Sequence, residues 1–254
     1  MTYSVVIPLF NESRNIAELY RRLKKTLEGL GNQYEIIVVD DGSTDDSFEL
    51  LKNIAFIDSR VKIIRFNRNY GQHRAITAGV LEAMGDYLIT LDADLQNPPE
   101  EIGKLLKKSE EGYDMVAGYR KIRKDSLARR VGSFATNFVI FMINGLRMRD
   151  YGSMLRVFKK DVAKALVSEY LKSEGYITML IAKITRNVAE VEVKHDERYA
   201  GASKYNILKL LPLFYKIVFY YNDGIRRLVK KDAQASPYVI ERKIEHGKEI
   251  VVSH

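Results

Sequence analysis

The stretch LITLDADLQNPPE, residues 88–100, decides how this chain is read. An apolar run of the kind that forms a buried strand ends in Asp92 and Asp94, with Gln96 at the same spacing and Pro98-Pro99 closing it off. Residues two apart on a strand share a face. If the backbone stays extended, Asp92, Asp94 and Gln96 face one crevice. Two carboxylates so placed repel, and one takes up a proton unless a cation intervenes. A divalent cation removes the conflict, and a diphosphate can complete its octahedron. The plainer alternative is that Asp92 and Asp94 cap a helix beginning at Pro98. A second acidic strand end, Asp40-Asp41 in YEIIVVDD (34–41), shifts the balance toward a ligand site. A nucleotide offers a base and ribose that donate hydrogen bonds to one aspartate, and a diphosphate that needs a metal.

Outward from this stretch, strands and helices alternate. YSVVIPL (3–9), YEIIVVDD, VKIIRF (61–66), residues 86–92 and YDMVAGYR (113–120) read as strands. Between them, residues 14–30 carry a helical stripe (Ile16, Leu19, Leu23, Leu27) stopped by Gly31. GSTDDSFELL opens a second helix with Ser, Thr and Asp as cap candidates, residues 72–84 form a third ending at Gly85, and PPEEIGKLLKK starts a fourth. Continuous apolar strands alternating with helices predict an α/β fold: a mostly parallel sheet with helices on both faces. Ligands of such sheets bind beyond the carboxyl ends of the strands, which is where PLFNES, VVDDGSTD and LDADLQ lie.

After residue 120 the pattern changes. Residues 126–146 read as helical, 152–160 as a short strand, 161–170 as a helix, and AEVEVKHDERY as a half-exposed strand. Residues 207–221, ILKLLPLFYKIVFYY, are dense in leucine and aromatics but broken by Lys209, Pro212 and Lys216, with IRRLVKK behind them. The charged residues 232–254 suit no particular element. The expected division is a domain over 1–205 and a C-terminal segment over 206–254.

Composition narrows the chemistry. The chain has 254 residues and no cysteine, so disulfides, thiolate chemistry and cysteine zinc sites are excluded. Its four histidines lack paired ligand spacing. A metal site is therefore expected to use oxygen ligands, which suits Mg²⁺ or Mn²⁺. The net charge of +8 favours anionic partners. MTYSVVIPLF is not a signal peptide, and no uncharged apolar run reaches the roughly 18–20 residues of a spanning helix.

VVIPLFNE, VVDDGSTD, GQHRAITAG, DADLQNPPE and RYAGASKY follow one another as they do in family 2 glycosyltransferases of the GT-A fold, which this chain resembles over residues 3–205. The resemblance is to the branch holding dolichyl-phosphate mannose synthase and bacterial polyprenyl-phosphate glycosyltransferases. It implies roles residue by residue. Pro8, Phe10 and Glu12 would line the base pocket, and Asp40 would hold base or ribose. Asp92, with Ala93 beside it, would lie by the ribose and metal-bound diphosphate, and Asp92, Asp94 and Gln96 would bind the metal. Arg120, Arg129 (or its neighbour Arg130) and Ser133 would hold an acceptor phosphate, while Arg198 and Lys204 would close over the diphosphate.

The resemblance thus implies a metal-dependent inverting transfer of sugar from a UDP- or GDP-linked donor to a polyprenyl phosphate. A phosphate acceptor is already anionic near neutral pH and needs no base. Planar arginine suits it. Glu174 is the one residue offered as base for a hydroxyl acceptor, its alternative being a helix start. A membrane-surface enzyme on the cytoplasmic face is expected, with 207–221 as an interfacial amphipathic helix with a basic flank. The alternative is a helix packed on the domain or on a second copy in a homodimer. Rival functions are transfer to a glycan hydroxyl and non-catalytic nucleotide-sugar binding. PLFNESRN lacks the Gly-rich loop of a sugar-phosphate nucleotidyltransferase, and no nucleic-acid module is present.

Overall fold

Strand β1 (Thr2–Leu9) is buried over all but its first residue. This is why YSVVIPL shows no apolar–polar alternation: both faces of the strand are covered. In the computed structural model, which describes residues 1–120, 140–173, 177–196 and 238–252, β1 pairs in parallel with β2 (Gln33–Asp40) on one side and β4 (Tyr87–Thr90) on the other. β3 (Val61–Phe66) extends the parallel set beyond β2. Helices α1 (Ser13–Gly29), α2 (Ser47–Ile57) and α3 (Gln72–Glu82) make the crossovers.

The remaining strands are β5 (Met115–Arg120), β6 (Arg156–Lys159), β7 (Val188–Val193), β8 (Ile240–Glu245) and β9 (Lys248–Val251). The order across the sheet is β7-β5-β6-β4-β1-β2-β3-β8-β9. The mostly parallel sheet expected from sequence holds for β1 to β4 and for the β5–β7 pair. β6 inserts antiparallel between β4 and β5, and β8 and β9 add antiparallel pairs, so the sheet as a whole is mixed.

Two apolar layers cover the sheet. On one face α1 buries Ile16, Leu19, Leu23 and Leu27, beside Phe48 and Leu51 of α2 and Leu105 of α4 (Ile102–Ser109). On the other, α3 lies with α5 (Lys160–Ser173) and α6 (Ile177–Ile184), through Ile76, Leu166, Val167 and Leu180. Leu27 is fully buried, so Leu27→Ala costs about 2–5 kcal/mol.

Residues 240–251, which the sequence left without an element, form a hairpin. His246 and Gly247 have φ of 50° and 69°, the backbone that a two-residue turn with the right strand twist requires. The hairpin covers the edge of β3, and Tyr238 stacks on Phe66 with ring centroids 4.8 Å apart. The sheet therefore takes strands from both sides of residue 205. Among the described residues no helix is long and apolar enough to cross a membrane.

Candidate active site

The strand order reverses at β1, which has β4 on one side and β2 on the other. In open α/β sheets the crevice beyond the carboxyl ends at such a point is the ligand site. Pairing of β1 with β4 stops at Val6 and Thr90, while pairing with β2 continues to Leu9 and Asp40. The Val6 carbonyl accepts from Leu91 N–H, so residues of its parity point toward β4. Pro8, two residues on, points past the end of β4 and lacks only an N–H that has no strand to meet.

Four side chains knit the loops after β1 and β2. Asn11, with φ of 53°, accepts from Thr44 N–H at 2.8 Å through Oδ1. Its own N–H reaches Ser43 Oγ at 2.9 Å. Glu12 N–H donates to Ser47 Oγ, and Ser13 N–H to Asp45. Pro8 is buried, Phe10 and Glu12 are half-buried on this edge, and the Glu12 carboxyl accepts from Asn15 at the start of α1. No side-chain cap bond closes α2 in the way the Ser, Thr and Asp of GSTDD were expected to. Asp45 instead accepts from Ser47 N–H.

Asp40 and Asp41 have different tasks. Asp41 is a loop clamp, accepting from Tyr70 N–H at 2.6 Å and Gly71 N–H at 2.8 Å. Asp40 is fully buried and accepts from Ser43 N–H at 2.9 Å through Oδ1. Its Oδ2 is buried with no hydrogen-bond partner. Burial pushes the Asp40 carboxyl above its ordinary pKa, against the hydrogen bonds of Ser43 and the charge of Arg65. A buried carboxylate oxygen without a bond is costly unless a ligand supplies one. Gly42, between the aspartates and the loop at Arg68, has φ of 71° and leaves no room for a Cβ, which would overlap the Arg68 backbone.

The Asp92–Gln96 segment is a turn. β4 ends at Thr90, short of the expected Asp92, and Leu95 has φ of 62°. Strand alternation therefore does not bring Asp92, Asp94 and Gln96 to one face; the three lie along this turn, where the charge of Asp94 reaches Asp92. Asp94 Oδ1 accepts from Gln96 N–H at 3.1 Å. The helical turn at Pro99 has no side-chain cap bond, so capping does not explain these aspartates. Ala93 is buried in the core between them. Asp92 Oδ1 accepts from Gln72 Nε2 at 2.7 Å, and Gln72 follows the Gly71 that Asp41 grips. Burial, then the charge of Asp94, pushes the Asp92 carboxyl up to about 7, against Gln72 and the charges of Arg120 and Arg156. Among the described residues no three His, Asp or Glu side chains gather as a metal cage. Two carboxylates and a Gln amide oxygen suit a hard cation that draws its other ligands from a diphosphate or water.

Arg120 ends β5 on the same edge. Its guanidinium is bound by Asp150, a partner the sequence did not reveal, with Nε to Oδ2 at 2.6 Å. The Asp150 side chain is 2% exposed and also accepts from Gly152 N–H. Arg156, 1% exposed, sends Nη2 to the Tyr151 carbonyl at 2.7 Å. It too went unread, hidden in the apolar run MLRVF. Past β7, Asp196 N–H donates to the Gln96 carbonyl at 3.0 Å, so the chain passes the Asp92–Gln96 turn two residues before Arg198. Arg129, Ser133, Glu174, Arg198, Lys204 and the segment 207–221 lie outside the described residues.

A sheet with its switch point at β1, an aspartate turn after β4 and a buried strand-end aspartate on β2 together make the GT-A glycosyltransferase fold. The chain belongs to glycosyl transferase family 2, whose family model matches residues 4–166. Among curated proteins it is 46% identical over 216 residues to undecaprenyl-phosphate 4-deoxy-4-formamido-L-arabinose transferase of Edwardsiella ictaluri, covering 85% of this chain and 66% of that protein. It is 44% identical over 216 residues to the protein of that name from Klebsiella pneumoniae, with the same coverage. The chain thus spans just under two thirds of these relatives. Among solved structures, glucosyl-3-phosphoglycerate synthase from Mycobacterium tuberculosis, in complex with Mn²⁺, UDP-glucose and phosphoglyceric acid, superposes with a TM-score of 0.62 at 16% identity, covering 91% of this chain and 81% of that one. Mannosyl-3-phosphoglycerate synthase from Rubrobacter xylanophilus gives 0.62 at 13% identity, covering 93% and 78%. At these identities the likeness is one of fold.

Proposed function

We propose that this chain transfers a sugar, with inversion, from a nucleotide sugar to a polyprenyl phosphate at the cytoplasmic face of a membrane. The observation that carries the nucleotide-sugar half is Asp40 Oδ2, buried without a partner across β1 from the Asp92–Gln96 turn. The two sites are separated by two strand spacings, about 10 Å, which matches the span from a base or ribose to a diphosphate. Asp40 would accept a hydrogen bond from base or ribose, with Pro8, Phe10 and Glu12 lining that pocket. Asp92, Asp94 and Gln96 would hold Mg²⁺ or Mn²⁺, which neutralises charge on the leaving diphosphate. Arg198 and Lys204 would close over it.

The acceptor half rests on Arg120 and on the names of the relatives. Arg120 lies on the same sheet edge, its orientation held by Asp150. With Arg129 and Ser133 it would hold a phosphate oxygen in line with the anomeric carbon, and no side chain would need to take a proton. The segment 207–221 with its basic flank would rest on the lipid surface. The test is to incubate the purified protein with a panel of nucleotide sugars and a short-chain polyprenyl phosphate. A lipid-linked product is expected. Transfer only to a glycan hydroxyl, or nucleotide binding without turnover, would overturn the acceptor assignment.

A further inference from the structure

The C-terminal hairpin reaches the Asp40 pocket through one arginine. Asp40, Arg65 and Arg242 are register partners across β2, β3 and β8, and Phe48 packs against both arginines. The Arg65 guanidinium carbon is 4.3 Å from the centre of the Phe48 ring, and that of Arg242 is 5.7 Å away. Between Arg65 and Phe66 the β3–β8 register slips: Arg65 faces Arg242, Phe66 faces Ile240, and Glu241 is the extra residue. Such a bulge re-aims a side chain. Here it brings the Glu241 carboxylate to 3.6 Å from Arg65 Nε. The same Nε is 3.7 Å from Asp40 Oδ2. It is buried and makes no hydrogen bond to either carboxylate.

One guanidinium is thus shared by two carboxylates at nearly equal range. One is the fully buried Asp40; the other is Glu241, whose side chain is 40% exposed. Because Asp40 is fully buried, a nucleotide that bonds to Oδ2 must first displace something, and Arg65 is the cation that stands over that oxygen. We infer that Arg65 is a displaceable cover on Asp40 and that Glu241 is the seat it moves to, which makes the hairpin a positioning element for nucleotide binding. This rests on the reading of Asp40 as the acceptor for base or ribose. With Glu241 present, Arg65 leaves Asp40 without losing its counter-charge. Without Glu241, the guanidinium settles on Asp40, the other carboxylate in its range among the described residues, and occupies the oxygen the nucleotide needs. The hairpin then sets affinity for the nucleotide while leaving the acceptor arginine untouched.

The test uses the full chain. UDP and GDP are each titrated in the presence of MnCl₂ by calorimetry, with the melting temperature recorded for every variant. Glu241→Gln is expected to melt with the parent and bind the preferred nucleotide about fivefold more weakly, the upper end for a half-exposed pair. Arg65→Met added to Glu241→Gln is expected to recover most of that loss, because the cover is gone. Glu249→Gln, which breaks the hairpin's ion pairs to Lys52 and Arg242 but spares Arg65, is expected to bind as the parent does. Parent-like binding by Glu241→Gln overturns the inference alone, as does a failure of Arg65→Met to restore affinity. A parent chain that binds neither nucleotide overturns the reading of Asp40, and the inference with it.

Discussion

Arg120 is gripped by Asp150 through two nitrogens, Nε on Oδ2 at 2.6 Å and Nη2 on Oδ1 at 3.1 Å. The carboxylate is among the most buried in the protein, so the guanidinium has a fixed plane before any ligand arrives. Hydrogen bonds to charged groups are worth about 1.5–3 kcal/mol each. Arg120→Ala is therefore expected to raise the acceptor KM roughly 10- to 100-fold and leave nucleotide affinity nearly unchanged. Lysine should rescue only in part, since it offers a point charge without a fork. Asp150→Asn should shift the acceptor KM in the same direction, and Glu174→Gln should be nearly silent. Acceptor-dependent kinetics at saturating nucleotide sugar decide this. A dead Glu174→Gln beside normal arginine variants would point to a hydroxyl acceptor instead.

The Asp92–Gln96 turn makes a metal prediction. Asp94→Asn keeps an oxygen that can still accept from Gln96 N–H, so the fold and melting temperature should hold. Activity should fall about 100-fold or more, because a metal at the leaving group is worth several kcal/mol. EDTA should abolish turnover and Mn²⁺ or Mg²⁺ restore it. Full turnover by dialysed enzyme in EDTA would sink the assignment.

Asp40→Ala removes the buried acceptor and should cost roughly 1–3 kcal/mol of nucleotide affinity, the value of a partner left unsatisfied. Isothermal calorimetry with UDP and GDP measures it. Affinity equal to the parent's would take Asp40 out of the pocket.

A fourth prediction concerns pH and lies away from the site. Asp58 is buried and accepts from Arg60 Nε and Nη2, both at 2.8 Å, and from the Tyr20 hydroxyl at 2.8 Å. The Arg60 guanidinium first, and Tyr20 after it, hold the Asp58 carboxyl well below the usual carboxylate range. A folded pKa below the unfolded one contributes stability above the unfolded value, and that stability is lost as pH falls through the folded one. Between pH 7 and 5 the contribution should be constant; below about 4 it should fade. Asp58→Asn should be less stable than the parent near neutrality, and the gap should narrow in acid. Urea melts from pH 7 down to 2.5 test this, and a gap independent of pH would refute it.

Gly42→Ala should be poorly tolerated. Its positive φ costs an alanine about 1–2 kcal/mol, and overlap with the Arg68 backbone adds about 1–3 kcal/mol. A melting temperature within error of the parent's would show that the loop can yield.

The strands and helices through Arg120 were readable because the strands are apolar, the helices carry an apolar stripe, and Gly, Pro or acidic residues bound them, and the two acidic strand ends pointed to the sheet edge that carries the candidate site. The turn at Leu95 was not readable, since nothing about leucine announces a positive φ. Asp150 was not readable either: it is thirty positions from Arg120, and only the tertiary arrangement of β5 and β6 brings them together. Asp40 and Asp41 looked like a matched pair, yet adjacent residues on a strand end point different ways, and one became a clamp on Tyr70 and Gly71. The hairpin did leave a trace in YVIERKIEHGKEIVV. The alternation around His246-Gly247 is a turn signature, weakened because histidine is less usual there than asparagine or aspartate.

The hairpin also bears on how the chain is made. β3 is synthesised early and β8 late, so during translation β3 presents a bare row of amide and carbonyl groups flanked by Ile63 and Ile64. Such an edge is a template for wrong pairing between nascent chains. A chain stopped before Tyr238 would keep that edge permanently, and its expected fate in a cell is association through β3.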